Sequence, residues 1–174
     1  MYYSIHVRYL ERLAAEINAK CCASGELEVV AGQSRFKMYL FPASEGGQVY
    51  IPAYFQLKTE MPQSCGCFAV RRNDLLDWIA ESIFFKQDFQ VGDENFDSQF
   101  FITAENNMWA SEFFSKQHVR KNISDLLSND FHKIYAKDSE LVVIKYVKSA
   151  DDFPSTEMIH TAIRKIQQIR LSSQ

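Results

Sequence analysis

FQVGDENFDSQFFITAENNMWASEFFSKQHVRKNISDLL, running from Phe89 to Leu127, is the stretch whose reading decides the fold. Gly92-Asp93 marks a turn, because glycine tolerates positive φ and aspartate can bond its own backbone. Phe96, Phe100 and Ile102 then share one parity, with Ser98 the polar member of the set. Asp97, Gln99, Phe101 and Thr103 share the other. That alternation predicts a strand with one apolar face. Glu105-Asn106-Asn107 ends it, and asparagine is a good N-cap because its side-chain oxygen accepts from the open amides of a first helical turn. Trp109 and Phe113 follow at a spacing of four, on one helical face. Ser115 offers a second cap. Val119, Ile123, Leu126 and Leu127 then repeat at helical spacing, with Arg120, Lys121 and Asp125 turned away. The block reads turn, strand, helix, helix. Its aromatic faces must be buried against something the rest of the chain supplies.

The run Gly92-Asp93-x-x-Phe96-Asp97-x-x-Phe100-x-Ile102, followed by Arg120 and Leu126-Leu127, resembles a block in uncharacterised bacterial domains. In those domains a strand of the FDxxF type leads into a helical pair and then a hairpin. The resemblance covers about the last half of the chain. Some of those domains are attached to membrane-spanning segments, and none is legible in these residues. The resemblance implies architecture and no activity.

Working outward, Leu10, Leu13, Ala14 and Ile17 recur at helical spacing and predict an opening amphipathic helix over Ser4 to Lys20. Leu27 to Val30 reads as a short strand. Phe36, Met38 and Leu40 alternate with Arg35, Lys37 and Tyr39 as a half-buried strand. Ser44-Glu45-Gly46-Gly47 is a hairpin connection. Val49, Ile51, Ala53, Phe55 and Leu57 give the cleanest alternation in the chain, with Pro52 on the opposite parity favouring an edge strand or a bulge. Cys65 to Arg71 makes a further strand, so an antiparallel meander is expected. Asn73-Asp74 can cap a helix carrying Leu75, Leu76, Ile79 and Ile83, with Trp78 on its flank. Phe84 to Gln90 reads as a strand. Beyond the central block, Phe131 to Tyr135 and Leu141 to Val147 flank the turn Lys137-Asp138-Ser139. Pro154 opens a last helix with Ile159, Ala162, Ile163, Ile166 and Ile169 as its buried stripe.

The 174 residues fit one domain, or one domain of two lobes with a seam near 84–90. A chain of that length buries roughly 70% of its unfolded surface, enough to fold without a metal or a disulfide. The expected class is α+β, an antiparallel sheet of about four to seven strands with helices packed mainly on one side. A net charge of −3 offers no electrostatic case for nucleic acid. No apolar run is long enough to insert in a membrane. The cysteine spacing is not a secreted disulfide framework, so a cytoplasmic protein is expected.

Three sets of residues could carry chemistry. Asp93, Asn95 and Asp97 spell the first ligands of a calcium loop, but Ser98 and Ala104 stand where glycine and a bidentate glutamate are required. With His118, Asp93 and Asp97 are the candidates for a hydrolase-type site. Cys21, Cys22, Cys65 and Cys67 could supply four thiolates to zinc, but they lack the usual knuckle spacing, and Cys65 and Cys67 read as small core residues. Tyr50 and Tyr54, with Gln56 and Lys58 on the second face of the Pro52 strand, and Trp109 are the candidate binding residues. No cofactor is expected. The favoured reading is a non-catalytic module that binds a protein partner, a second copy of itself as a homodimer, or a small ligand.

Overall fold

Alternating apolar residues build strands wherever both chain directions can pair, and the result here is an eight-stranded antiparallel sheet. The structure is a computed structural model that describes residues 2–21, 26–46, 49–72, 89–129 and 131–173. The first part holds α1 (Tyr2–Glu16), β1 (Lys20–Cys21), β2 (Leu27–Ala31), β3 (Ser34–Phe41), β4 (Ser44–Gly46), β5 (Val49–Ile51), β6 (Tyr54–Glu60) and β7 (Phe68–Arg72). The second holds α2 (Glu94–Gln99), β8 (Phe100–Ala104), α3 (Asn107–Ser115), α4 (Gln117–Ser128), β9 (Lys133–Lys137), β10 (Glu140–Tyr146) and α5 (Thr156–Leu171). The sheet order is β1-β2-β3-β6-β10-β9-β7-β8, and β4 and β5 form a ribbon of their own.

The α+β class holds, but eight strands exceed the expected four to seven because β8, β9 and β10 join the sheet begun by the first half. The simple meander fails for the same reason. β10 takes the place beside β6, so β7 lies between β9 and β8 instead. The expected strand from Val49 to Leu57 is also divided. Pro52 has no amide to give a ladder and falls between β5 and β6. β6 is therefore interior, and β1 and β8 are the edges. The Phe89 amide donates to the Ile102 carbonyl at 2.7 Å, which covers part of the β8 edge.

Within the central block, residues Glu94 to Gln99 are helical and only Phe100 onward is extended. Phe96 and Phe100 are spaced for either structure. Asp93 decides between them by accepting from the Phe96 amide at 3.2 Å, a cap that starts α2. Asn106 caps α3 as its sequence position suggests, accepting from the Trp109 amide at 3.1 Å. Ser115 does not cap α4: its hydroxyl donates back to the Glu112 carbonyl at 2.7 Å, and the N-cap is Lys116. Likewise Ser155, not Pro154, starts α5, accepting from the Met158 amide at 3.2 Å. The hairpin turn at Asp138 and Ser139 is present, both with positive φ. The expected helix carrying Leu75 to Ile83, the residues 84–88 of the expected strand and seam, Gly47 and Cys22 lie outside the described residues.

Direct cross-strand pairing puts Leu27, Met38, Leu57, Val143, Ile134, Val70 and Ile102 in one row on one face. Phe36, Phe55, Phe68 and Leu141 share that face, and α1, α3, α4 and α5 bury their apolar stripes against it in a single cluster. Trp109 belongs to this layer. Its ring stacks on Phe113 at 4.6 Å and on Phe68 at 5.9 Å, and it closes over Gly66. A methyl group built on Gly66 would stand 2.6 Å from the indole, so glycine is needed there for close approach. Gly66→Ala is expected to destabilise the fold by about 1–3 kcal/mol through this overlap. Urea unfolding with an unchanged slope would show it, and a wild-type midpoint would contradict it.

Candidate functional site

The opposite face of the sheet is not the usual polar surface. Pairing sets Phe41, Tyr54 and Tyr146 in one row across β3, β6 and β10. The next row is Tyr39, Gln56, Ile144, Lys133, Arg71 and Phe101. The row after it is Lys37, Lys58, Val142, Tyr135, Ala69 and Thr103. Period-two geometry puts all of these side chains away from the helices. Val142 is buried yet stands outside the main core cluster, as a residue on the second face must.

The rings form a continuous ladder. Tyr39 and Phe41 stack at 5.8 Å, and Phe41 and Tyr54 at 4.6 Å. Such offset stacks add about 0.5–1.5 kcal/mol per pair beyond burial. His132 lies 5.2 Å from the Tyr146 ring, and its Nδ1 accepts from the Tyr146 amide at 3.1 Å. Cations border the ladder. Lys58 sits 5.4 Å over the Tyr39 ring and pairs with Glu140 at 2.9 Å. Arg71 lies 4.5 Å over Phe101, and Lys133 lies 5.2 Å over Tyr135. Arg71 and Lys133 are direct cross-strand neighbours, an arrangement of like charges that costs stability.

Burial shifts the titration of several groups on this face. It raises the phenols of Tyr54, Tyr135 and Tyr146, so these neutral donors keep their protons further into the alkaline range than free tyrosine does. Tyr135 and Tyr146 are each raised further by Tyr54. Burial, and then the Arg71 charge, hold the Lys133 amine below the usual lysine range. The face thus offers flat rings, neutral hydroxyl donors and, at its border, the part-buried cations Lys58 and Lys133. That set can hold an amphipathic molecule or segment, with its apolar part on the rings and an acidic group by the cations.

The expected binding residues do not gather in one place. Tyr54 is on this face, at the start of β6. Tyr50 belongs to β5 in the separate ribbon, and its side chain lies outside the described residues. Trp109 is in the helical layer on the other side of the sheet. The residues that sequence reasoning missed are Tyr135, Tyr146, Lys133 and Arg71. Each sat on the parity of a strand assigned for its apolar members, and only the strand order brings them beside Tyr54.

The two aspartates are occupied by backbone and arginine bonds. Both oxygens of Asp97 accept amides, from Val91 and Gly92, at 2.9 Å each. Asp93 caps α2 and accepts from Arg120 Nε at 3.1 Å. Arg120 also donates to the carbonyls of Phe114 at 2.5 Å and Ser115 at 2.9 Å. His118 is two residues from Arg120 on α4, so it points to a different side of that helix. There its Nε2 lies 2.6 Å from Ser172 Oγ. Cys21 stands on the β1 edge, while Cys65 and Cys67 precede β7 near the opposite edge. Burial, and then Cys67, push the Cys65 thiol up to about 11. Among the described residues, no group of three or more His, Cys, Asp or Glu side chains gathers where a metal ion could sit.

No family model matches the chain, and no curated protein matches it in sequence. A solved structure, that of the mycobacterial trehalose monomycolate transport factor A, TtfA, is similar with a TM-score of 0.60 at 8% identity. The match covers 96% of this chain and 93% of that one. It is a likeness of fold. Among the described residues, no helix is long and apolar enough to cross a membrane.

Arg120 ties the start of α2 and the end of α3 to α4. Arg120→Ala is expected to lower the unfolding free energy by about 2 kcal/mol, read by urea denaturation. A second prediction concerns alkali. The native state holds phenolic protons that an unfolded chain releases above pH 10.0, so stability falls as pH climbs from there toward the folded values. Thermal unfolding between about pH 10 and 11 should show a shallower loss for Tyr135→Phe/Tyr146→Phe than for wild type.

Proposed function

We propose that this chain is a non-catalytic binding module whose ligand or partner segment rests on the aromatic and cationic second face of the sheet. The observation that carries the reading is the gathering of Phe41, Tyr54, Tyr135 and Tyr146 from four strands, with Lys133 and Arg71 beside them. Aromatic rings stabilise most when they lie inside a core, and like charges when they lie apart. A sheet that gathers half-exposed rings from four strands on its second face presents the flat apolar area that binding surfaces commonly use. The fold neighbour is named as a transport factor, which accords with a role in holding rather than transforming a molecule.

The occupation of Asp93 and Asp97 supports the same reading. Carboxylates fully engaged with amides and an arginine are poorly placed to move protons, since each transfer would break bonds that hold a helix start. A homodimer formed through this face would use the same rings.

The probe for the test is 1-anilinonaphthalene-8-sulfonate, an aromatic body with one anionic group. The native protein is expected to bind it saturably. Phe41→Ser/Tyr54→Ser should weaken binding about tenfold while far-ultraviolet circular dichroism stays unchanged. Saturable binding that ignores both substitutions would place the dye elsewhere and refute the reading. A rise in apparent mass of wild type, lost in the same variant, would instead identify the second copy as the occupant.

A further inference from the structure

On the far side of the helical layer, α4 and α5 leave a second surface whose chemistry is unlike the sheet face. Their inner stripes are apolar and buried in the core. Their outer stripes run His118, Lys121, Asp125 on α4 and Arg164, Lys165, Gln168, Leu171 on α5, with the buried Asn122 at the floor between them. Between them lies an open groove of about 850 Å³. Its walls carry the cations Lys116, Lys121, Arg164 and Lys165 against the single carboxylate Asp125, on a chain whose net charge is −3. A positive groove on a negative protein is a local feature of the fold and not a consequence of composition.

Several of these groups are already engaged. Lys165 pairs with Asp125. Lys116 donates to the Ser172 carbonyl at 2.6 Å, at the C-terminal end of α5, and His118 Nε2 lies 2.6 Å from Ser172 Oγ. Lys121 and Arg164 are different. Both are exposed, and neither has a hydrogen-bond or ion-pair partner among the described residues. Asp125, the carboxylate within the groove, is taken by Lys165. Two cations therefore face a shared groove with no anion among the described residues left to meet them. At the groove's end Leu171 is 62% exposed, a large apolar side chain beside these charges.

From these observations we infer that the α4–α5 groove receives a short acidic peptide segment of a partner protein, with an apolar residue of that segment seated on Leu171. Size and charge both select this occupant. From Lys116 to Asp125 the helix rises roughly 13 Å at 1.5 Å per residue, the reach of about four extended residues. Carboxylates of the segment meet Lys121 and Arg164, and the Gln168 amide can pair with its backbone. A long polyanion such as nucleic acid would have to leave the groove across a chain that is acidic in sum. The groove and the sheet face lie on different layers, so this inference is independent of the function proposed above.

The test uses the full chain and a fluorescein-labelled glutamate-rich hexapeptide ending in leucine, followed by fluorescence anisotropy. Saturable binding that loosens with added salt is expected. Lys121→Glu/Arg164→Glu should weaken it about tenfold or more, with thermal unfolding unchanged because both side chains are exposed and unpaired. Arg8→Glu, an exposed charge on α1, should change it by less than about twofold, and Leu171→Ser should weaken it about threefold. Tyr54→Ser should leave it intact, which separates the groove from the sheet face. The inference is overturned if the peptide fails to saturate or if the double reversal binds as wild type does. It is equally overturned if a single-stranded oligonucleotide or phosphatidylserine vesicles displace the peptide with tighter, reversal-sensitive binding.

Discussion

The seven-residue pairing of β6 with β10 is the constraint on which the structure depends. It joins Tyr54–Glu60 to Glu140–Tyr146, segments about eighty positions apart in the chain, and turns two sets of strands into one sheet. Register there is not negotiable. A slip by one residue would carry Phe55, Leu57, Leu141 and Val143 to the outer face and bring Gln56 and Lys58 into the core. Because β6 also pairs with β3 and β10 also pairs with β9, that choice of face propagates to both edges. The Lys58–Glu140 pair at 2.9 Å sits on the second face of this ladder and reinforces the register, though a half-exposed pair adds little energy.

One face so fixed recruits the helices. α1, α3, α4 and α5 each carry one apolar stripe, and the inner face offers a continuous place to bury all of them. Their outer stripes are then released from packing. In α4 and α5, which lie against one another, those released stripes meet as a charged groove. Arg120 occupies the boundary between the two roles. It is on α4, yet its guanidinium bonds the carbonyl ends of α3 and the cap of α2, positioning three helices with one side chain. The acidic turn that reads as a candidate for metal or acid–base chemistry is thereby explained as structure: Asp93 starts a helix and Asp97 closes the loop before it.

The second face of the sheet is where local consistency lapses. The rings and Lys133 there are half-buried, Arg71 is buried, burial raises the phenols, and Lys133 faces Arg71 across the β9–β7 ladder. Sequences usually avoid like charges directly opposed on a sheet. These opposed charges and the stacked ring ladder lie on one face, the face to which the binding role is proposed.

What the residues determined by themselves was local. Parity located most strands, helical spacing found α1, α4 and α5, Asn106 was a legible cap, and the positive-φ turn at Asp138-Ser139 was readable. These features are set by interactions within a few positions, which is the range that periodicity reports. The α2 start misled because Phe96 and Phe100 satisfy both periods until Asp93 bonds the Phe96 amide. Strand order could not be read. Nothing in Glu140–Tyr146 names β6 as its neighbour, since any apolar-faced strand of that length would pair. The order found gives α1, α3, α4 and α5 one continuous face on which to bury their stripes. The site followed the order: Tyr54, Tyr135, Tyr146 and Lys133 are scattered in the chain and became neighbours through long-range ladders, which no local pattern encodes.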